Sequence, residues 1–289
     1  MEPYLGTPAG TIAVLKKYGI STQKKYGQNF LIDSEILEKT VAAAGITEDD
    51  FVLEIGPGIG TLTQHLASHA RKVVAVEIDR SLEPVLADTL SGWDNVKVIF
   101  GDILKTDLTA LIEEENAGRP VKVAANLPYY ITTPILMQLF ESGAPLTSVT
   151  VMVQKEVADR MAADPGTKDY GALSLAVQYR ARPEIACIAP AGVFLPPPKV
   201  DSAVVHMSCY EKPPVETKDP KKLFALIRAA FAQRRKTLAN ALSGAPWLHL
   251  SKEEANALIE NAGFPANVRG ERLSLSDYAR LANLMDHGS

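Results

Sequence analysis

The strongest constraint on the fold is an alternation along the first half of the chain. Short runs rich in valine and isoleucine, at 51–56, 72–78, 96–102, 121–127 and 148–154, are separated by helix-like segments. That pattern predicts parallel strands joined by right-handed crossovers, hence an α/β doubly wound sheet. Two further strand-like runs, 183–189 and 202–210, follow with no long helix between them. They predict an antiparallel hairpin at the sheet edge.

After residue 210 the character changes. Lys212-Pro213-Pro214-Val215-Glu216-Thr217-Lys218-Asp219-Pro220 reads as a linker that ends in a helix start, with Asp219 as N-cap and Pro220 at the first helical position. Leu223, Phe224, Ile227, Phe231, Leu238 and Leu242 supply an apolar stripe near helical spacing. Ser251-Lys252-Glu253-Glu254 is a capping box, and Ser276 is placed to cap a last helix from Asp277 to Met285. The expectation is two domains, an α/β domain over 1–213 and a small all-helical one over 214–289. No apolar run approaches the ~18–20 residues of a membrane helix. The start, Met1-Glu2-Pro3-Tyr4, lacks a basic stretch followed by an apolar one, so no secretory signal is expected. Cys187 and Cys209 are not spaced as a redox or zinc pair and read as buried free thiols of a reducing cytosol.

The formal net charge is −4, yet the charge is unevenly spread. Lys16 to Lys25 contains four lysines and no acid; Lys221 to Lys236 contains six basic residues and again no acid. Nucleic acid responds to local potential, not to the average. The candidate phosphate contacts are Lys24 and Lys25, in a basic segment within 11–33, and Lys221, Lys222, Arg228, Arg234, Arg235 and Lys236. Gln233-Arg234-Arg235-Lys236 is expected late in the first carboxy-terminal helix, and its competing reading is a solvated face.

Two loops at strand ends carry the chemistry. In Glu54-Ile55-Gly56-Pro57-Gly58-Ile59-Gly60, the glycines offer bare backbone to a nucleoside-like cofactor. Alone such a GxGxG is often only a tight strand-to-helix turn. Glu77, 21 residues after Gly56 and at the end of the second strand, is placed to accept ribose hydroxyls. Asp79 points to the same face by period-two alternation, so spacing leaves both open. Asp102 ends the third strand, either as an acceptor for a cofactor adenine or as a turn cap. Asn126-Leu127-Pro128-Tyr129, the second loop, offers the Asn126 side-chain oxygen and the Leu127 carbonyl to the two N–H bonds of a planar amine. Two such acceptors stabilise the positive charge that develops on that nitrogen. Pro128 has no N–H to compete, and Tyr129 can stack on an extruded base. A plain β-turn is the alternative. Together the loops suggest transfer of a group from S-adenosylmethionine (SAM) to an adenine amine, a step that needs proximity and no metal. Phe194, before the rigid Pro196-Pro197-Pro198, either covers the second face of that adenine or fills the core. His65 and His69, at i and i+4, lack a third ligand and read as a solvated helix face.

The chain resembles the ribosomal RNA small-subunit adenine N6,N6-dimethyltransferases, the KsgA/RsmA family, over essentially its whole length. The resemblance rests on Tyr26-Gly27-Gln28-Asn29-Phe30-Leu31, Leu53 to Gly60, Val76-Glu77-Ile78-Asp79, Gly101-Asp102, Asn126 to Tyr130 and Phe194 to Ser202. It implies a Rossmann-like SAM-dependent methyltransferase sheet with a small carboxy-terminal helical domain. It further implies dimethylation of two adjacent adenosines in a 3′-terminal hairpin loop of 16S rRNA, within the 30S subunit or its precursor. SAM is then the cofactor, held by Asn29, Leu31, Gly56, Gly58, Glu77, Asp102 and Asn126, with Glu77 favoured over Asp79. Asn126, Leu127, Tyr129 and Phe194 become the catalytic set, in a cytoplasmic monomer without metal. The rivals are a large-subunit rRNA adenine methyltransferase of the macrolide-resistance type, a non-catalytic assembly or transcription factor on the same fold, and a dinucleotide oxidoreductase.

Overall fold

The fold comes from a computed structural model and is described for residues 4–20 and 29–285. Lys24, Lys25 and Tyr26-Gly27-Gln28 lie outside those residues. The valine- and isoleucine-rich runs form a seven-stranded sheet: β1 (Phe51–Ile55), β2 (Lys72–Glu77), β3 (Val96–Phe100), β4 (Val121–Asn126), β5 (Leu146–Gln154), β6 (Ala181–Ala189) and β7 (Ser202–Cys209). The spatial order is β3-β2-β1-β4-β5-β7-β6. The first five strands run parallel. β7 pairs antiparallel with β5, from Ser148↔Ser208 to Gln154↔Ser202. Every residue of β1 is buried, which is why that run, Glu54 apart, is apolar instead of alternating.

The order reverses at β1, which lies between β2 and β4. At such a switch point the connections leave on opposite faces and open a crevice beyond the carboxyl ends of the strands. The glycine loop follows β1 and the Asn126 loop follows β4, so both chemistry-bearing loops open into it. A two-residue ribbon, Phe30–Leu31 against Phe194–Leu195, pairs antiparallel.

The chain divides into two compact units, one of residues 1–158 with 184–209, the other of 159–183 with 210–289. This differs from a single boundary at 213/214, and the reason lies in packing. Tyr170 meets Phe231 edge-on at 6.0 Å and Tyr179 meets Phe224 at 5.1 Å. The Tyr170 hydroxyl donates to the Leu273 carbonyl at 2.8 Å. Tyr170, Leu175 and Tyr179 thus belong to the core of Leu223, Leu226, Leu242 and Tyr278. Packing between segments so far apart in sequence leaves no local periodic signal.

Two helix boundaries of the second unit also differ from expectation. The helix Pro220–Ala232, capped by Asp219, ends before Gln233, so Gln233 to Lys236 form a turn and not a last helical turn. Leu238 and Leu242 belong to the next helix, Leu238–Ser243. Arg234 holds the turn, donating to the Lys168 carbonyl at 3.0 Å. The last helix, Leu275–Leu284, is capped by Ser274 in place of Ser276. Ser274 and Asp277 close a reciprocal box, at 3.2 Å and 2.9 Å, that satisfies two backbone donors.

His65 corrects another reading. It is buried, not solvated, and its ring Nε2 lies 3.2 Å from the Leu5 carbonyl. Gln64 beside it accepts from the Tyr4 and Leu5 amides, so this helix pins the start of the described chain. His69 is exposed. Cys187 and Cys209 are free and half-buried. Among the described residues no helix is long and apolar enough to cross a membrane, and no group of His, Cys, Asp and Glu is arranged to hold a metal ion.

Candidate active-site cleft

The glycine loop after β1 needs backbone conformations that a side chain resists. Gly56, Gly58 and Gly60 have φ of 68°, 59° and 92°. At Gly60 a Cβ would also lie 3.1 Å from Thr89 and Leu90. At Gly56 it would meet nothing, so there the loop presents bare backbone to open space. Glu77 clamps the loop from the end of β2. One carboxylate oxygen accepts from the Gly58 amide at 3.1 Å and the other from the Asp79 amide at 2.8 Å.

That geometry separates the two acids that spacing left open. Glu77 is buried and lines the cleft. The Asp79 carboxylate instead caps Ser81, accepting from its amide at 3.0 Å and its hydroxyl at 2.6 Å. Burial raises the Glu77 pKa, against the lowering pull of its amide donors. Glu54, also buried and lining the cleft, is pushed up to about 8 by burial, with the Glu77 charge adding to the effect. Its Oε2 has no hydrogen-bond partner. A buried acid with an unpartnered oxygen is an unmet demand for a donor or a positive charge.

β4 delivers the second loop to the same cleft. Asn126 donates from its side-chain NH₂ to the Asn29 carbonyl at 3.4 Å. A carbonyl takes only a donor, so this contact fixes the amide's orientation and leaves the Asn126 oxygen for another partner. Leu127 is buried, and its amide donates to the Met152 carbonyl at 3.1 Å. The Ile131 amide closes a turn onto the Pro128 carbonyl at 3.1 Å. Tyr129 is half-buried, with its hydroxyl 2.7 Å from that of Ser202 on β7. Burial raises its pKa.

The cleft spans about 990 Å³ including its open mouth, the size of a small-molecule site. Of the residues singled out in the sequence, Asn29, Leu31, Gly56, Gly58, Glu77, Asn126, Leu127 and Tyr129 line it together. Two do not. Asp102 acts as a cap, accepting from the Leu104 amide at 3.0 Å, with Lys105 3.7 Å from its other oxygen. Phe194 is buried in the core, paired with Leu31 in the ribbon. Sequence reasoning gave no role to Ser202 as the anchor of Tyr129, although it sits in a matching stretch. That role depends on the pairing of β5 with β7.

In the second unit, Lys221, Arg228, Arg235 and Lys236 are exposed and Lys222 is half-buried. Arg228 lies over the Trp247 ring, 4.3 Å from its centroid. Arg234 is committed to the Lys168 carbonyl and to Glu271, at 3.5 Å.

Comparison with known proteins shows what the chain is similar to. Residues 19–287 match the family described as "Ribosomal RNA adenine dimethylase". A "Ribosomal RNA small subunit methyltransferase A" of Lachnoclostridium phytofermentans is 56% identical over 284 residues, covering 98% of each chain. Its namesake in Geobacillus thermodenitrificans is 50% identical over 287 residues, 99% of this chain and 98% of that one. Among solved structures, a dimethyladenosine transferase from Plasmodium falciparum superposes with a TM-score of 0.69 at 26% identity, over 87% of this chain and 95% of its own. The 23S rRNA methyltransferase ErmE does so with a TM-score of 0.68 at 26% identity, over 88% and 98%.

Proposed function

Because the chain belongs to the ribosomal RNA adenine dimethylase family, we propose that it transfers methyl groups from SAM to the N6 of adenosines in small-subunit ribosomal RNA. The observation that carries this reading is one cleft, at the sheet's switch point, lined by both the glycine loop and Asn126-Leu127-Pro128-Tyr129. Curated relatives at 56% and 50% identity carry the small-subunit name, whereas the 23S enzyme matches at 26%. That favours the small-subunit substrate over the large-subunit one.

The cleft residues suit the cofactor. The unpartnered Glu54 oxygen would take its α-ammonium, the open side of Gly56 admits its close approach, and Glu77 keeps lone pairs for ribose hydroxyls beyond its two amide bonds. Asn29 and Leu31 line the same space. When bound, SAM supplies a methyl group activated on a sulfonium. The chain's residues then act on the adenine. Asn126, its NH₂ held by Asn29, and the Leu127 carbonyl accept from the exocyclic amine and stabilise its developing positive charge. Tyr129, pinned through Ser202, gives a fixed face for stacking. Asp102 is retained as a cofactor contact, through lone pairs beyond its cap bond, and Phe194 as a stacking contact for the adenine. Lys221, Arg228, Arg235 and Lys236 are assigned to RNA phosphates. Double methylation of two adjacent adenosines, action on the 30S particle or its precursor, a monomeric state and cytoplasmic work complete the reading.

The test is methylation by the purified protein of 30S particles from cells lacking this modification, with labelled SAM and mass mapping of the rRNA. N6,N6-dimethyladenosine at adjacent positions near the 3′ end of 16S rRNA is expected. Incorporation into 23S rRNA alone, or none, overturns the proposal.

A further inference from the structure

The Pro128–Ile131 turn carries a second aromatic that the chemistry above does not use. Tyr130 lines the mouth of the cleft and is 65% exposed, the highest value for any large apolar or aromatic residue among those described. Its side chain makes no hydrogen bond and no ring contact with the described residues. Tyr129, one residue earlier, is half-buried and tied to Ser202. The same turn therefore presents one ring fixed inside the cleft and one exposed ring at its rim.

Removing an adenine from its stack leaves the neighbouring base with an uncovered face. In single-stranded RNA such faces are covered by aromatic side chains, at about 1–3 kcal/mol per base. Tyr129 and Tyr130 are consecutive residues of one turn, one half-buried in the cleft and one exposed at its mouth, so a base in the cleft and its neighbour outside each have a ring to meet. We propose that Tyr130 is a stacking platform for the nucleotide flanking the target adenosine, holding the RNA strand at the rim while Tyr129 faces the target itself. The inference rests on the adenosine-methylating reading of the cleft. It also gives the second of two adjacent target adenosines a defined place while the first reacts.

Two readouts on Tyr130→Ala, Tyr130→Phe and wild type test it. In steady-state methylation of 30S particles, Tyr130→Ala should raise KM for the particle about tenfold or more, with a smaller change in kcat and unchanged SAM affinity. Tyr130→Phe, which keeps the ring, should restore wild-type KM. The second readout needs no turnover: 2-aminopurine placed beside an adenosine in a single-stranded oligoribonucleotide should be quenched by wild type and by Tyr130→Phe, and not by Tyr130→Ala. An unchanged KM and equal quenching in the alanine variant overturn the proposal. So does a parallel loss of SAM affinity, which would assign the ring to the cofactor. Quenching by a wild type that methylates no adenosine would overturn the reaction assigned to the cleft and leave the stacking surface standing.

Discussion

The cleft and the basic surface of the helical unit are built in opposite ways. In the cleft the polar groups are buried or half-buried and held by fixed partners: Glu77 by two amides, Asn126 by a carbonyl, Tyr129 by Ser202. On the helical unit the candidate contacts are long exposed cations, of which Arg234 has partners of its own and Arg228 rests on Trp247. A group held in place before its partner arrives acts at the transition state without reorganising. A solvated cation contributes mostly attraction that salt screens. The first kind should therefore fail steeply and specifically when cut, and the second gradually.

The sharpest way to break that comparison is Asn126→Ala. Methyl transfer in a single-turnover assay should fall about 10²-fold or more while SAM affinity changes little. Wild-type rates would remove Asn126 from the mechanism. Next is Glu77→Ala, expected to weaken SAM binding by about 1.5–3 kcal/mol, roughly ten- to hundredfold, as charged hydrogen bonds are removed and the glycine loop is unclamped. Calorimetry on the folded variant decides it.

Glu54 gives a pH signature. Its pKa in the fold, about 8, stands above that of the unfolded chain. Ionisation is thus disfavoured in the fold, and the stability this group contributes is fully present below the ordinary carboxylate range and lost as pH climbs to about 8. A cofactor ammonium would reverse the preference and release a proton. SAM affinity should then rise by up to about tenfold per pH unit and level off near pH 8. Glu54→Gln should flatten both trends, as read by calorimetry and thermal melts across the same pH range.

The smallest effect is expected on the helical unit. Arg235→Ala with Lys236→Ala should flatten the slope of log affinity for 30S particles against log salt by about 0.7–0.9 for each phosphate no longer neutralised, leaving SAM binding intact. Arg234→Ala, by contrast, should also lower the melting temperature slightly, because its hydrogen bond to the Lys168 carbonyl goes with it. Parallel salt lines for the double variant would mean that the turn is only a solvated surface.

Much of the cleft was legible because its signals are local. Glycines at positive φ, an acid closing a strand and a proline after Asn-Leu each leave a mark in a few consecutive residues. Asp102 and Phe194 show the limit: the sequence does not say whether an acid at a strand end does more than cap its turn, or whether an aromatic before a proline run does more than fill the core. The end of the helix at Ala232 was hidden for a related reason, since an acid-free basic run carries no stop signal and the turn is held by Lys168 far away in sequence.

By itself the sequence determined the seven strands, their parallel start and the two loops that bear the chemistry. Burial of a whole strand and the backbone demands of a tight turn dictate residue types one position at a time. Tertiary structure alone decided the rest. It turned Glu77 and not Asp79 to the cleft, left one Glu54 oxygen unpaired, drew residues 159–183 into the helical unit, and set Tyr129 against Ser202 while Tyr130 stayed at the rim. Each of these depends on which distant segments share a core or a sheet edge, and such pairings are settled by packing the whole chain at once.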